Sequence, residues 1–110
     1  MEPSQGGFLI MTVAADPEGV GARAIADFVE LDNKRILEIG CGKGRLTFPL
    51  AEFANHITAI DPDADAVGRA VEATPDHLKG KIEFFSKGID EFDLPIGAPH
   101  YDLCIFTWSL

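Results

Sequence analysis

The sequence predicts an α/β domain built on a doubly wound parallel sheet. Three observations carry that prediction. Short apolar runs of strand length alternate with amphipathic segments of helix length from residue 35 onward, the order that right-handed crossovers between parallel strands require. A glycine-rich turn, Gly40-Cys41-Gly42-Lys43-Gly44, stands directly between one such run and the helix after it, where the chain of such a sheet leaves a strand at its carboxyl edge. The run Leu103-Cys104-Ile105-Phe106 is apolar at consecutive positions, as in a strand covered on both faces.

The elements follow in order. Residues 1–7 are polar and glycine-containing and read as a frayed start. Residues 8–15 are apolar except for Thr12, far short of the ~20 residues of a membrane span, and no Lys or Arg precedes them as in a secretory signal. Asp16-Pro17-Glu18 is a helix opening, with Asp16 as cap and Pro17 in the first position. Ala22, Ile25, Ala26, Phe28 and Val29 then recur at helical spacing, which predicts a helix over 17–30. Strands are expected at 35–39, 57–60, 81–86 and 101–107, with helices at 45–53 and 64–73 between them. Pro49 removes the bond to the Arg45 carbonyl and bends the first turn of its helix. Pro75 stops the later one. No repeat, linker or low-complexity tract interrupts this pattern.

The 110 residues allow one domain, 1–110, divided into an N-terminal segment and helix (1–33) and a core (34–110). The net charge of −9 argues against a surface that grips phosphate backbones through bulk charge. Only Cys41 and Cys104 are present, which is no disulfide framework and points to a reducing cytoplasm.

The chemistry concentrates in Glu38-Ile39-Gly40-Cys41-Gly42-Lys43-Gly44. Alternate glycines let the backbone turn tightly and approach a ligand with no Cβ in between. Arg45 stands where the dinucleotide fingerprint needs its third glycine, which disfavours a nicotinamide oxidoreductase, and there is no Gly-Lys-Ser/Thr of a phosphate-binding loop. Asp61 ends the next strand, so its carboxylate falls beside the glycine loop and can accept both hydroxyls of a ribose. Asp63 suits the cap of the following helix, leaving Asp61 free for a ligand. His56, His77 and His100 show no ligand spacing, so no metal site is expected and no catalytic side chain is assigned.

These segments, with Ala59-Ile60-Asp61-Pro62-Asp63 and Tyr101-Asp102-Leu103-Cys104-Ile105, resemble the class I S-adenosylmethionine-dependent methyltransferases over roughly residues 34–110. The resemblance implies a Rossmann-like sheet of order 3-2-1-4 and S-adenosyl-L-methionine as cofactor. It implies that Glu38 lies near the ligand's amino group, directly or through water. The backbone of Gly40, Cys41, Gly42 and Gly44 lines the methionine part and ribose. Asp61 holds the ribose hydroxyls, and Pro62 or Asp63 borders the adenine. The Gly-Asp pair that follows the third strand in the family corresponds here to Lys87-Gly88, so its adenine-facing carboxylate is missing. In the loop Gly88-Ile89-Asp90, either Asp90 substitutes for it or Asp90 and Glu91 form a solvated acidic turn.

Methyl transfer from a sulfonium needs alignment more than a catalytic side chain, and near-attack geometry supplies ~7–11 kcal/mol. The residues after the fourth strand, Phe106-Thr107-Trp108-Ser109-Leu110, are not the Asn/Asp-Pro-Pro-Tyr/Phe type of members that methylate planar amino groups. A small-molecule or metabolite-like acceptor is therefore expected, the alternatives being an RNA or protein methyltransferase fragment and a non-catalytic nucleoside-binding module. Trp108 borders either ligand or packs at the strand end. Residues 8–15 either lid the site or pack. Family members add three strands after the fourth, so this chain is expected to be the first half of a larger domain, truncated after strand 4. An exposed fourth strand would then invite self-association.

Overall fold

Arg35–Ile39, Arg-Ile-Leu-Glu-Ile, forms a strand at the centre of a parallel sheet because side chains on both of its faces meet packed layers. The computed structural model describes residues 9–15, 34–91 and 101–109. In chain order its elements are β1 (Leu9–Ala15), β2 (Arg35–Ile39), α1 (Thr47–Ala51), β3 (His56–Ile60), α2 (Ala64–Ala73), β4 (Ile82–Phe85) and β5 (Leu103–Ser109), with a short 3₁₀ turn at Asp76–Leu78. The expected helix over 17–30 and His100 lie outside the described residues.

The sheet order is β1-β5-β2-β3-β4, and every pairing is parallel. The four motif-bearing strands take the expected 3-2-1-4 order. The expectation of an exposed fourth strand is corrected: β5 has a neighbour on each side, which removes the basis for association through its edge. β1 pairs with it from Leu9↔Leu103 to Ala15↔Ser109, so the run 9–15 is a strand rather than a lid. Its backbone takes up the edge of β5 that would otherwise be open to another chain.

Ile36, Leu50, Ile57, Leu78, Leu103 and Ile105 are fully buried in the cluster on one face of the sheet. Each contributes ~1.5–3 kcal/mol over its exposed state. Leu37, Ile60 and Cys104 form a smaller cluster, with Ile39 and Tyr101 packed against it. Along β4, half-buried Ile82 and Phe84 alternate with exposed Glu83 and Phe85, as at a sheet edge with one covered face. Phe84 meets Phe48 edge-to-face at 6.2 Å, a favoured aromatic geometry.

The helix expected over 45–53 is confined to Thr47–Ala51, after a turn over 42–46. The reason is Pro49. It cannot donate to the Arg45 carbonyl, so regular bonding starts late and the ring sits in the first turn, where a missing N–H costs little. α2 has the expected limits. The Asp63 carboxylate caps it, accepting the N–H groups of Asp65 and Ala66 at 3.1 Å. Ala66, Val67 and Ala70 face the core. It ends at Thr74, which is extended because Pro75 follows. No helix among the described residues is long and apolar enough to cross a membrane.

Candidate functional site

β2, β3 and β4 all release their chains at one edge of the sheet, and backbone bonds tie the departing loops together. The N–H groups of Gly40 and Cys41 both donate to the Ile60 carbonyl, at 2.8 and 3.1 Å. The Asp61 N–H donates to the Phe85 carbonyl at 3.2 Å. The glycine loop thus hangs from the end of β3, and Asp61 from the end of β4.

The three loop glycines have positive φ, but for different reasons. At Gly40 (φ +90°) an added Cβ would lie 2.5 Å from the Thr107 carbonyl oxygen, and at Gly44 (φ +92°) 2.8 Å from the Phe48 ring. Close packing within the chain explains both. Gly42 (φ +55°) differs, because an added Cβ there would meet nothing within 4 Å among the described residues. The described residues do not fill the space beside Gly42, while its backbone is held in a left-handed turn that glycine adopts without strain.

That turn is held by Asp61. Its Oδ2 accepts the Gly42 N–H at 2.9 Å and its Oδ1 accepts the Asp63 N–H at 2.9 Å. Asp63 is the helix cap as expected, but Asp61 is not left free: it already organises the loop and the β3–α2 turn. Each carboxylate oxygen has a second lone-pair direction, so the half-buried group can still accept from a ligand. Pro62 is exposed between the two aspartates.

Glu38 lies beneath the loop, fully buried. Its Oε1 accepts the Thr47 hydroxyl and its Oε2 the Thr107 hydroxyl, the latter at 2.8 Å. Burial pushes its carboxyl above the ordinary 4.5; the two hydroxyls pull it back, and the charge of Asp61 raises it again. Thr47 and Thr107 escaped the sequence reading. The available signal was the chemistry of Glu38 itself, since a carboxylate at the buried end of a strand needs donors and the flanking elements offer hydroxyls. Cys41 is buried, and its thiol is pushed up to about 12, first by burial and then by Glu38 and Asp61. It is a small packing residue rather than a nucleophile.

Beyond β4, Gly88-Ile89-Asp90 forms a turn. The Glu91 N–H donates to the Gly88 carbonyl at 3.0 Å, and the Gly88 N–H to Glu91 Oε1 at 3.1 Å. Ile89 and Asp90 are exposed, and Asp90 Oδ1 lies 2.9 Å from where a Cβ on Gly88 would stand. His56 begins β3, at the far edge of the sheet, beside Glu83 at 3.6 Å. His77 bonds Glu52 at 2.8 Å. Among the described residues no group of His, Cys, Asp and Glu could hold a metal ion.

Comparison with known proteins gives this edge a context. A family model described as a methyltransferase domain matches residues 36–110. Phosphoethanolamine N-methyltransferase 1 of Zea mays is 34% identical over 79 residues, 72% of this chain and 15% of its own length. A 23S rRNA (uracil(1939)-C(5))-methyltransferase of Methylococcus capsulatus is 41% identical over 51 residues, 46% of this chain and 12% of its own. Among solved structures, phosphoethanolamine N-methyltransferase 1 of Haemonchus contortus, in complex with phosphoethanolamine and S-adenosylhomocysteine, superposes with a TM-score of 0.67. It is 25% identical, covering 79% of this chain and 18% of that one. The chain spans 12% to 16% of the length of the curated relatives it matches.

Proposed function

Because the chain belongs to the methyltransferase-domain family, we propose that residues 34–110 form the donor-binding core of an S-adenosylmethionine-dependent methyltransferase acting on a small, metabolite-like acceptor. The observation that carries the reading is the space beside Gly42. A left-handed glycine with open room at its missing Cβ lies next to a carboxylate that retains acceptor capacity. That is a fit for a ligand combining an amino-acid moiety with a nucleoside.

In this reading the backbone of Gly40, Cys41, Gly42 and Gly44 lines the methionine part and ribose. Asp61 accepts the ribose hydroxyls while its bonds to Gly42 and Asp63 keep it oriented. Pro62 borders the adenine, with Gly88-Ile89-Asp90 beside it and Asp90 as the carboxylate for the exocyclic amine. Glu38 acts from below, holding the loop. The bound donor supplies an activated methyl group: a nucleophile bonds to the carbon as the carbon–sulfur bond breaks and sulfur keeps the electron pair. The chain's contribution is placement, an effect of ~7–11 kcal/mol in well-aligned cases.

The acceptor class is supported by charge and by extent of likeness. The net charge of −9 belongs to this stretch alone and there suits a neutral or cationic small molecule better than a polyanion. The match to the plant phosphoethanolamine N-methyltransferase runs over 72% of the chain, against 46% for the rRNA enzyme. An RNA acceptor is the second reading, favoured by the relatives that act on rRNA. Two free, buried cysteines support a reducing, cytoplasmic setting.

Titration calorimetry with S-adenosylmethionine, S-adenosylhomocysteine and NAD tests the donor assignment. Binding of the first two, lost in Asp61→Ala, is the expected result. Binding of NAD alone overturns it.

A further inference from the structure

β5 leaves register with β2 at Phe106, the partner of Ile39. The next residue, Thr107, stands against the glycine loop, as one close approach and one hydrogen bond show. Its carbonyl oxygen occupies the space a Cβ on Gly40 would need, at 2.5 Å, and its hydroxyl donates to Glu38 Oε2 at 2.8 Å. The other oxygen of Glu38 accepts from Thr47, the first residue of α1. One fully buried carboxylate therefore joins the helix that closes the loop to the strand beside the loop's first residue.

We infer that Thr107 is a positioning residue for donor binding, its hydroxyl acting through Glu38 to hold the loop Gly40–Gly44 in the shape that receives the donor; this rests on the donor-site reading. Among the described residues, Glu38 Oε2 accepts from Thr107 alone. Without that hydroxyl a carboxylate oxygen is left buried and unpaired, a costly state that the surroundings relieve by shifting. The adjacent element free to shift is the loop. The β2 backbone is fixed by ladders on both sides, whereas the loop is held at its middle, Gly42, by Asp61 and elsewhere by single backbone bonds. The Thr107 carbonyl lies where a Cβ on Gly40 would stand, so a drift of Thr107 toward the loop presses on the loop's first residue.

The test is titration of S-adenosylhomocysteine into the wild-type chain and into Thr107→Val, Thr107→Ser, Glu38→Gln and the Thr107→Val/Glu38→Gln double variant, with amide exchange of Gly40 and Gly44 followed in each free protein. The expected result is binding about tenfold weaker in Thr107→Val, the loss appropriate to a hydrogen bond to a charged group. Thr107→Ser should bind within about twofold of wild type, because it keeps the hydroxyl. The double variant should bind no more weakly than the more affected single, since the hydroxyl works through the carboxylate. Gly40 and Gly44 should exchange faster in Thr107→Val and near the wild-type rate in Thr107→Ser. Wild-type affinity in Thr107→Val, failure of Thr107→Ser to restore binding, or additive losses overturn the proposal. If Thr107→Val does not fold, Thr107→Ala against Thr107→Ser makes the same comparison. If the wild-type chain does not bind the ligand, the donor-site reading fails, and unchanged exchange would then overturn the loop-holding role independently.

Discussion

The Gly42 N–H donates to Asp61 Oδ2 at 2.9 Å, so the residue proposed to receive the nucleoside also shapes the loop beside it. Asp61→Ala therefore removes two things at once. The N–H groups of Gly42 and Asp63 lose a charged acceptor, and with partial solvent access the loss should be about 2 kcal/mol of folding stability. Asp61→Asn keeps one carbonyl acceptor and should lose about half of that. Urea denaturation measures both, and equal stability of Asp61→Ala and wild type would contradict the loop-organising role.

The loop glycines should separate under substitution. Gly40→Ala places a Cβ against a backbone carbonyl that cannot swing away, at a φ that disfavours L-residues, and should cost about 3 kcal/mol or more. Gly42→Ala meets open space, so only the left-handed backbone penalty of about 1 kcal/mol applies. In calorimetry Gly42→Ala should nonetheless lose S-adenosylhomocysteine binding, because the new methyl group enters the room assigned to the ligand. A folded Gly42→Ala that binds normally would place the ligand elsewhere.

Glu38 gives stability a pH slope. Its carboxyl is raised in the folded chain, by burial above all. The native state therefore holds its proton more tightly than the unfolded one. The associated stability is fully present below the ordinary value of 4.5 and is lost as pH rises through the folded value. Glu38→Gln cannot titrate, so wild type should lose stability relative to this variant as pH is raised above about 4.5. Urea midpoints of the two proteins across that range measure the difference. A difference that does not change with pH would mean that Glu38 ionises as in the unfolded chain.

Cys41 should be inert although it sits inside the site. With its thiol pushed to about 12, the thiolate fraction at pH 8 is about a thousandfold below that of an ordinary thiol. Alkylation by iodoacetamide should proceed only through unfolding and should reach full rate in urea. Rapid labelling of the folded chain at Cys41, mapped by mass spectrometry, would contradict this burial.

What was legible in the sequence was whatever local chemistry dictates. Gly40-Cys41-Gly42-Lys43-Gly44 announced a strand-to-helix turn, Asp63 a cap and Pro49 a disturbed helix start, and each lies where those rules put it. What escaped were contacts between residues far apart in the chain. Nothing near Glu38 indicates that Thr107 will supply its second hydroxyl. Nothing near Asp61 says that one of its oxygens will be engaged by Gly42, nineteen residues earlier, although its bond to the Asp63 N–H is a local turn pattern that aspartate favours. The run 8–15, left open between a lid and simple packing, pairs as a strand over 9–15. It is apolar without a strong period, so pattern alone could not distinguish a strand from a lid; its role depends on the open edge of β5, some ninety residues later.

That edge supplies the last prediction. β1 covers β5 along seven paired positions, Leu9 to Ala15 against Leu103 to Ser109. Removing residues 1–15 would leave one side of β5 with free N–H and C=O groups flanked by Leu103, Cys104 and Ile105, a template for pairing with another chain. The shortened chain should lose stability, each abandoned ladder bond counting for ~0.5–1.5 kcal/mol, and should associate into dimers or larger species as concentration rises. Sedimentation velocity of the two lengths decides the matter. An increase in sedimentation coefficient with concentration, confined to the shortened form, is expected. A shortened chain that remains monomeric and equally stable would mean that β1 is not what protects β5.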